Sequence, residues 1–357
     1  MQQPNFRMIA LARESRGLTQ TELAAKIKSL NQGNLSKIER NELNINEQTL
    51  GEIANVLSYP IDFFYQKEVV VPISSFYYRK KATIKKRNIL SLEATINIIR
   101  KCIDILVANE EVQLDDFDFP KFDLNDGWTP ISAAKRLREF LRLPKGPIRN
   151  PFTILEDAGI IIYELDTEEE GFDGITTFTD SGRPVIFLNK NLPNDRKRFT
   201  IGHELAHLVL HIPFVLEPFR DEENEANLFS GEFNMPEGDC RGDLLRFGFS
   251  KLGPLKQYWG LSKAAIIRRA RNLELINNNT YTYLQIELGR KGERKRETGV
   301  VEIDEPTLLN ELLKAYVEGL GYTDEELASL LKISKDDFLK LFRSNKAARI
   351  RILKSIV

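Results

Sequence analysis

Apolar residues recur at helical spacing through the first 66 positions: Ala10, Leu11, Leu18, Leu23, Ala24, Ile27, Leu35, Ile38, Leu50, Ile53, Ala54 and Leu57. Thr19 and Asn46 suit helix starts, and Glu22 stands three residues after Thr19, as a capping box requires. The pattern predicts a small all-α domain over 1–66, closed near Pro60. Next come Val69-Val70-Val71-Pro72, read as a strand or linker, and a basic run of Arg79, Lys80, Lys81, Lys85, Lys86 and Arg87. A helix over 90–107 and an acidic connector over 110–126 complete a linking region, 67–128.

A second body, 129–286, opens with amphipathic helices at 130–141 and 151–158. Ile160-Ile161-Ile162-Tyr163, Gly174–Phe178 and Val185–Leu188 read as strands, the last two joined through the turn Asp180-Ser181-Gly182. Helices at 196–212 and 222–233 and a helical hairpin ending near Leu273 follow. Residues 287–297 are charged and punctuated by glycine, which predicts a loop; 287–357 would form a separate helical domain with Thr323 as a cap. The expected fold class is α+β: all-α ends around a mostly helical centre with a small sheet of three or more strands.

The 357 residues carry 51 Lys+Arg and 52 Asp+Glu, a net charge of −1. A globally basic nucleic-acid packer is excluded, so any such binding must be local. No apolar run approaches the ~18 residues of a membrane span. Two cysteines cannot build a disulfide framework, and the first residues lack a secretory pattern, so a reducing cytoplasm is the expected location.

All three histidines fall at 203, 207 and 211. In His203-Glu204-Leu205-Ala206-His207, the histidines at i and i+4 share one helix face and can hold one zinc ion at about 2.0–2.1 Å each. Apolar neighbours Phe199, Ile201, Leu208, Val209 and Leu210 predict a buried helix, where polar groups need partners. Glu204 is placed to take a proton from water activated by the ion, whose pKa would fall toward about 7. His211 reads as a helix-end residue favoured by the macrodipole rather than a ligand.

A catalytic zinc takes a third protein ligand. Glu222, Glu223 and Glu225 are the candidates. Glu223 shares its face with the small residues Ala226, Asn227 and Ser230, which favours it without deciding between them. The chemistry is metal-assisted hydrolysis, and Val185–Leu188 is expected to bind an extended peptide by strand addition.

Arg198-Phe199-Thr200-Ile201-Gly202 before the histidine motif, Glu223-Asn224-Glu225-Ala226-Asn227-Leu228-Phe229 after it, and Met235-Pro236 resemble the ImmA/IrrE family of zinc metallo-endopeptidases. Asn189, Arg196 and 255–262 fit as well, and the likeness runs more loosely from about Phe76 to Asn277. The resemblance makes Glu223 the third ligand and implies a repressor or antitoxin-like protein as substrate. Ser230-Gly231 departs from the usual pair of alanines.

Residues 18–40 carry a helix, a turn and a second helix with a polar start, the arrangement that presents side chains to a major groove. Gln and Asn can pair with adenine, and Lys can reach guanine or phosphate. Residues 5–66 are similar to the Xre family of helix-turn-helix domains. That resemblance implies double-stranded DNA as partner, Gln20 clamping a phosphate, and Gln32, Gly33, Asn34 and Lys37 at or near bases. Ser29 stands where the family's turn has glycine. The sequence thus predicts a DNA-binding regulator fused to a zinc endopeptidase. The alternative is a repressor or antitoxin whose zincin-like domain serves as a sensor or partner-binding module. The tail after Tyr322 has a similar rhythm, but Asp324, Glu325 and Glu326 would oppose phosphate. It is expected to pack or to pair two copies into a homodimer, and longer members of the peptidase family carry similar tails.

Overall fold

The computed structural model describes residues 3–67, 86–112, 114, 117–169, 171–217, 219–245, 248–294 and 297–343. The Val69–Val71 segment and most of the basic run lie outside them.

The first helices are α1 (Phe6–Ser15), α2 (Gln20–Ala24), α3 (Gln32–Glu39) and α4 (Glu47–Leu57). Asn5, Thr19, Asn31 and Asn46 each cap one of them by accepting from a backbone N–H, and the Thr19–Glu22 capping box is formed. Ser29 is absent from the positive-φ residues, so this turn does not need glycine there; its hydroxyl donates to Glu52 at 2.8 Å. The long helix α5 covers Lys86–Val107.

Thr129 opens α6 (Pro130–Phe140) with a second capping box, and α7 spans Pro151–Asp157. Strands β1 (Ile161–Leu165), β2 (Gly174–Phe178) and β3 (Pro184–Asn189) follow. Helices α8 (Asn194–Ala206), α9 (Glu222–Asn234), α10 (Glu237–Leu244), α11 (Leu252–Trp259), α12 (Lys263–Asn272) and α13 (Asn278–Arg290) complete the central region. The tail holds α14 (Leu308–Lys314), α15 (Asp324–Leu330) and α16 (Lys335–Phe338). The fold is the α+β architecture expected. No helix among the described residues is long and apolar enough to cross a membrane.

The chain divides into two compact units. One comprises 1–113, 179–181 and 310–357. Met8, Ile9, Leu23, Leu35, Ile53, Phe63 and Phe64 form its buried helix-turn-helix core. Ile96, Ile99 and Ile103 of α5 are buried as well, and the Tyr316 hydroxyl donates to the Leu106 carbonyl at 2.8 Å. In the same unit Arg16 stacks over Tyr59 and forms a two-pronged pair with Asp337 at 2.6 and 2.7 Å.

The other unit comprises 114–178 and 182–309. Its sheet has the order β1-β3-β2, with β1 parallel and β2 antiparallel to β3. β3 is therefore paired on both sides, and the expected strand addition at Val185–Leu188 has no backbone edge to use. Ile162, Ile186 and Leu188 of the sheet pack in one core with Leu137, Phe152, Ile201, Leu205, Phe229 and Phe233. Residues 287–290, expected in a loop, are instead the end of α13. Leu284 and Leu288, one turn apart, are both buried and carry the helix through Glu287.

Beyond α13 the backbone is fastened by carboxylates. Glu297 accepts from Lys263 N and Ala264 N at the start of α12. Asp304 accepts from Phe152 N and Thr153 N, and Glu156 from Thr307 N and Leu308 N. Residues 293, 294 and 297–309 thus belong to a strap over this unit.

Candidate metal centre

The helix that carries the histidines ends differently from expectation. α8 stops at Ala206, and residues 207–211 form a π-turn closed by Ile212 N donating to the His207 carbonyl at 2.9 Å. Such turns are rare and concentrate at functional sites. The next helix, α9, starts with Asp221 accepting from Asn224 N, and Glu222, Glu223 and Glu225 occupy its first turn, where the helix dipole favours acids. α8 and α9 pack closely. A Cβ on Gly202 would lie 2.5 Å from Asn234 Nδ2 and 2.8 Å from Ser230 Oγ, and Ser230 Oγ donates to the Phe199 carbonyl at 2.7 Å. The small-residue face on which Glu223 lies is the one that meets α8, and Ser230, a departure from the resemblance, is part of that contact.

This packing brings His203, His207 and Glu223 together. The Nε2 atoms of the two histidines are 3.2 Å apart, and Glu223 oxygens lie 3.6 Å from His203 Nε2 and 3.7 Å from His207 Nε2. A tetrahedral zinc with bonds of about 2.0–2.1 Å separates neighbouring ligand atoms by about 3.3–3.4 Å. The opposite ring nitrogens are occupied: His203 Nδ1 lies 3.2 Å from Asn227 Oδ1, and His207 Nδ1 lies 2.9 Å from His211 Nδ1. With each Nδ1 as the donor, both Nε2 atoms are acceptors, and they face a carboxylate. Three acceptors converging at these distances suit a cation, and the donor set of two imidazoles and a carboxylate suits zinc.

Glu204 is buried beside this group, and Thr176 Oγ1 of β2 sits 3.0 Å from its Oε2. His203 and Glu223 are partly exposed, so the cluster is open toward solvent. A buried carboxylate at this position can accept a proton from a water held at the cluster.

His211 stands at the helix end, as expected, but it is buried there. It is 2% exposed, and its Nε2 lies 3.2 Å from Glu225 Oε2. Burial pushes its pKa below the ordinary histidine value, outweighing the opposing pull of Glu225. Arg220 in turn donates to Glu225 at 3.0 Å. The sequence signal for this role was the third histidine, again four residues on, and within the π-turn its ring lies beside that of His207, tilted by 59° with centroids 4.9 Å apart. Glu222 forms a second close group with His207 and His211.

In the helix-turn-helix, Gln32, Gly33, Asn34 and Lys37 are exposed at the start and middle of α3. Gln20 on α2 accepts from Gln32 at 3.0 Å and donates to Glu39 at 2.8 Å. Glu39 also receives two hydrogen bonds from buried Arg13. A buried ion pair thus holds Gln20, and Gln20 holds the side chain at the first position of α3.

Residues 155–271 match the family model described as the IrrE N-terminal-like domain, of peptidase family M78, and residues 9–64 match that of the helix-turn-helix. No curated protein and no solved structure matches the chain.

Proposed function

Because the chain joins an Xre-type helix-turn-helix domain to an IrrE-like domain of peptidase family M78, we propose that it is a DNA-binding regulator whose central domain is a zinc-dependent endopeptidase. The observation that carries this reading is the meeting of His203, His207 and Glu223 within 3.2–3.7 Å of one another beside buried Glu204. His203, His207 and Glu223 would hold the ion. Zinc supplies, when bound, a Lewis acid that polarises a carbonyl and lowers the pKa of water.

Glu204 takes the proton from the attacking water and delivers it to the leaving amine nitrogen as the peptide C–N bond breaks. Thr176 fixes the carboxylate for that exchange. An extended substrate can add only at a sheet edge. Of the two edge strands, β2 is the one that touches Glu204. The substrate class is a repressor or antitoxin-like protein. Double-stranded DNA binds through residues 1–66, with Gln32, Gly33, Asn34 and Lys37 facing base edges and Gln20 on the phosphate backbone.

The test is zinc analysis of the purified chain, then incubation with the proteins encoded beside its gene, wild type against Glu204→Gln. Both should carry one zinc per chain, and only the wild type should cleave. Cleavage by Glu204→Gln would remove the base assignment. Zinc retained with cleavage by neither would favour the sensor reading.

A further inference from the structure

We infer that Glu225, acting through His211 and itself braced by Arg220, is a positioning residue that fixes the ring nitrogen His207 offers to the metal. The inference rests on the reading of His203, His207 and Glu223 as the zinc ligands.

An imidazole carries one proton when neutral, and a metal takes the nitrogen without it. For His207, that nitrogen is set by what the other one meets. Glu225, paired with Arg220 at 2.9 Å, is an acceptor, so His211 donates to it from Nε2 at 3.2 Å. His211 Nδ1 then has no proton and accepts from His207 Nδ1, 2.9 Å away. His207 Nε2 is left as the acceptor, and it is the nitrogen that points at His203 and Glu223. Each step follows from the one before, so one carboxylate in the first turn of α9 orients two rings.

The burial of His211 makes this assignment firm. Almost no water reaches the His211 ring, and Glu222, the carboxylate grouped with the two histidines, is itself an acceptor. The same geometry argues against a second ion between His207, His211 and Glu222. Their Nδ1 atoms at 2.9 Å stand at hydrogen-bond distance, closer than the roughly 3.3 Å that two ligands of one zinc keep. The four-residue spacing brings the two rings together within the π-turn, tilted by 59° with centroids 4.9 Å apart. His203 is served more simply, by Asn227 on the facing helix.

The experiment compares wild type, Glu225→Ala and Glu225→Gln as full chains. Zinc affinity is measured by competition with a chromophoric chelator, and melting temperature without metal. The three histidines are the only imidazoles, so histidine-selective 15N labelling reads their tautomers in the metal-free protein. Glu225→Ala should weaken zinc by about 10- to 100-fold, with the metal-free melting temperature within about 2 °C of wild type. Glu225→Gln keeps an acceptor for His211 and should restore affinity to within about threefold. His207 should carry its proton on Nδ1 in wild type and Glu225→Gln, and be mixed in Glu225→Ala. Wild-type affinity or an unchanged tautomer in Glu225→Ala would overturn the inference. So would a Gln variant as weak as Ala, or a melting temperature that falls in step with affinity. If the wild type takes up no zinc, the metal reading itself fails, while the tautomer spectra still decide the role of Glu225.

Discussion

Thr176 Oγ1 lies 3.0 Å from both the carbonyl oxygen and the Oε2 of Glu204. A hydroxyl has one proton to give, so these two acceptors of one residue share it. Thr176→Val removes that donor at nearly constant volume and leaves a buried carboxylate without it. A hydrogen bond to a charged group is worth about 1.5–3 kcal/mol, so kcat should fall by roughly 10- to 100-fold. Zinc content should not change, because Thr176 is not among the residues that would hold the ion. Thr176→Ser should retain most activity. Equal loss in both variants would show that the methyl, not the hydroxyl, matters.

Gly202 is the point where α8 and α9 touch. Gly202→Ala would drive a methyl against Asn234 and Ser230, at a cost of about 1–3 kcal/mol. The two histidines ride on the helix segment after Gly202 and Glu223 on the opposing helix. Spreading the pair should therefore weaken zinc binding as well as lower the melting temperature. Calorimetry and a zinc titration on one preparation check both effects.

Arg13 and Glu39 form a buried pair with side chains 8% and 5% exposed. Burial alone would lower the Arg13 pKa, but Glu39 and Glu14 outweigh it and raise it. Glu39→Ala strands the guanidinium and releases Gln20, at roughly 3–5 kcal/mol. DNA retention should be lost along with stability. Gln32→Ala with Asn34→Ala alters only exposed groups. It should abolish sequence-specific retention while the unfolding transition stays in place; unchanged specific binding would refute the groove assignment.

Much of this was legible in the sequence because the chemistry is local. A histidine pair one turn apart, a capping box at Thr19 and the strand at Gly174–Phe178 each depend on neighbours within a few residues. Glu223 was reachable because small residues on its face imply a close helix contact. What escaped depends on long-range geometry. Nothing within 185–188 says that two other strands flank it, so the edge was assigned to the wrong strand. His211 fits a helix end equally well until the π-turn and Glu225 are seen together. The extension of α13 was hidden because charge and glycine at 287–297 outweighed the single anchor Leu288.

The strap makes a pH-dependent prediction. Burial of Glu293 disfavours its charged form, but hydrogen bonds from Lys263 and Thr298, with the charges of Lys263 and Lys256, outweigh that and hold its pKa below the ordinary carboxylate value. A depressed folded-state pKa means the folded chain keeps its carboxylate charged where the unfolded chain begins to bind a proton. The stabilisation is therefore complete above the unfolded value, about 4.3, and is lost as pH falls from there through the folded value. Glu293→Gln cannot take part in this titration. Its melting temperature should start lower than wild type near neutral pH, and the gap should narrow on acidification below about pH 4.3. A gap that stays constant across that range would show that Glu293 contributes by shape, and that the strap is not held by its charge.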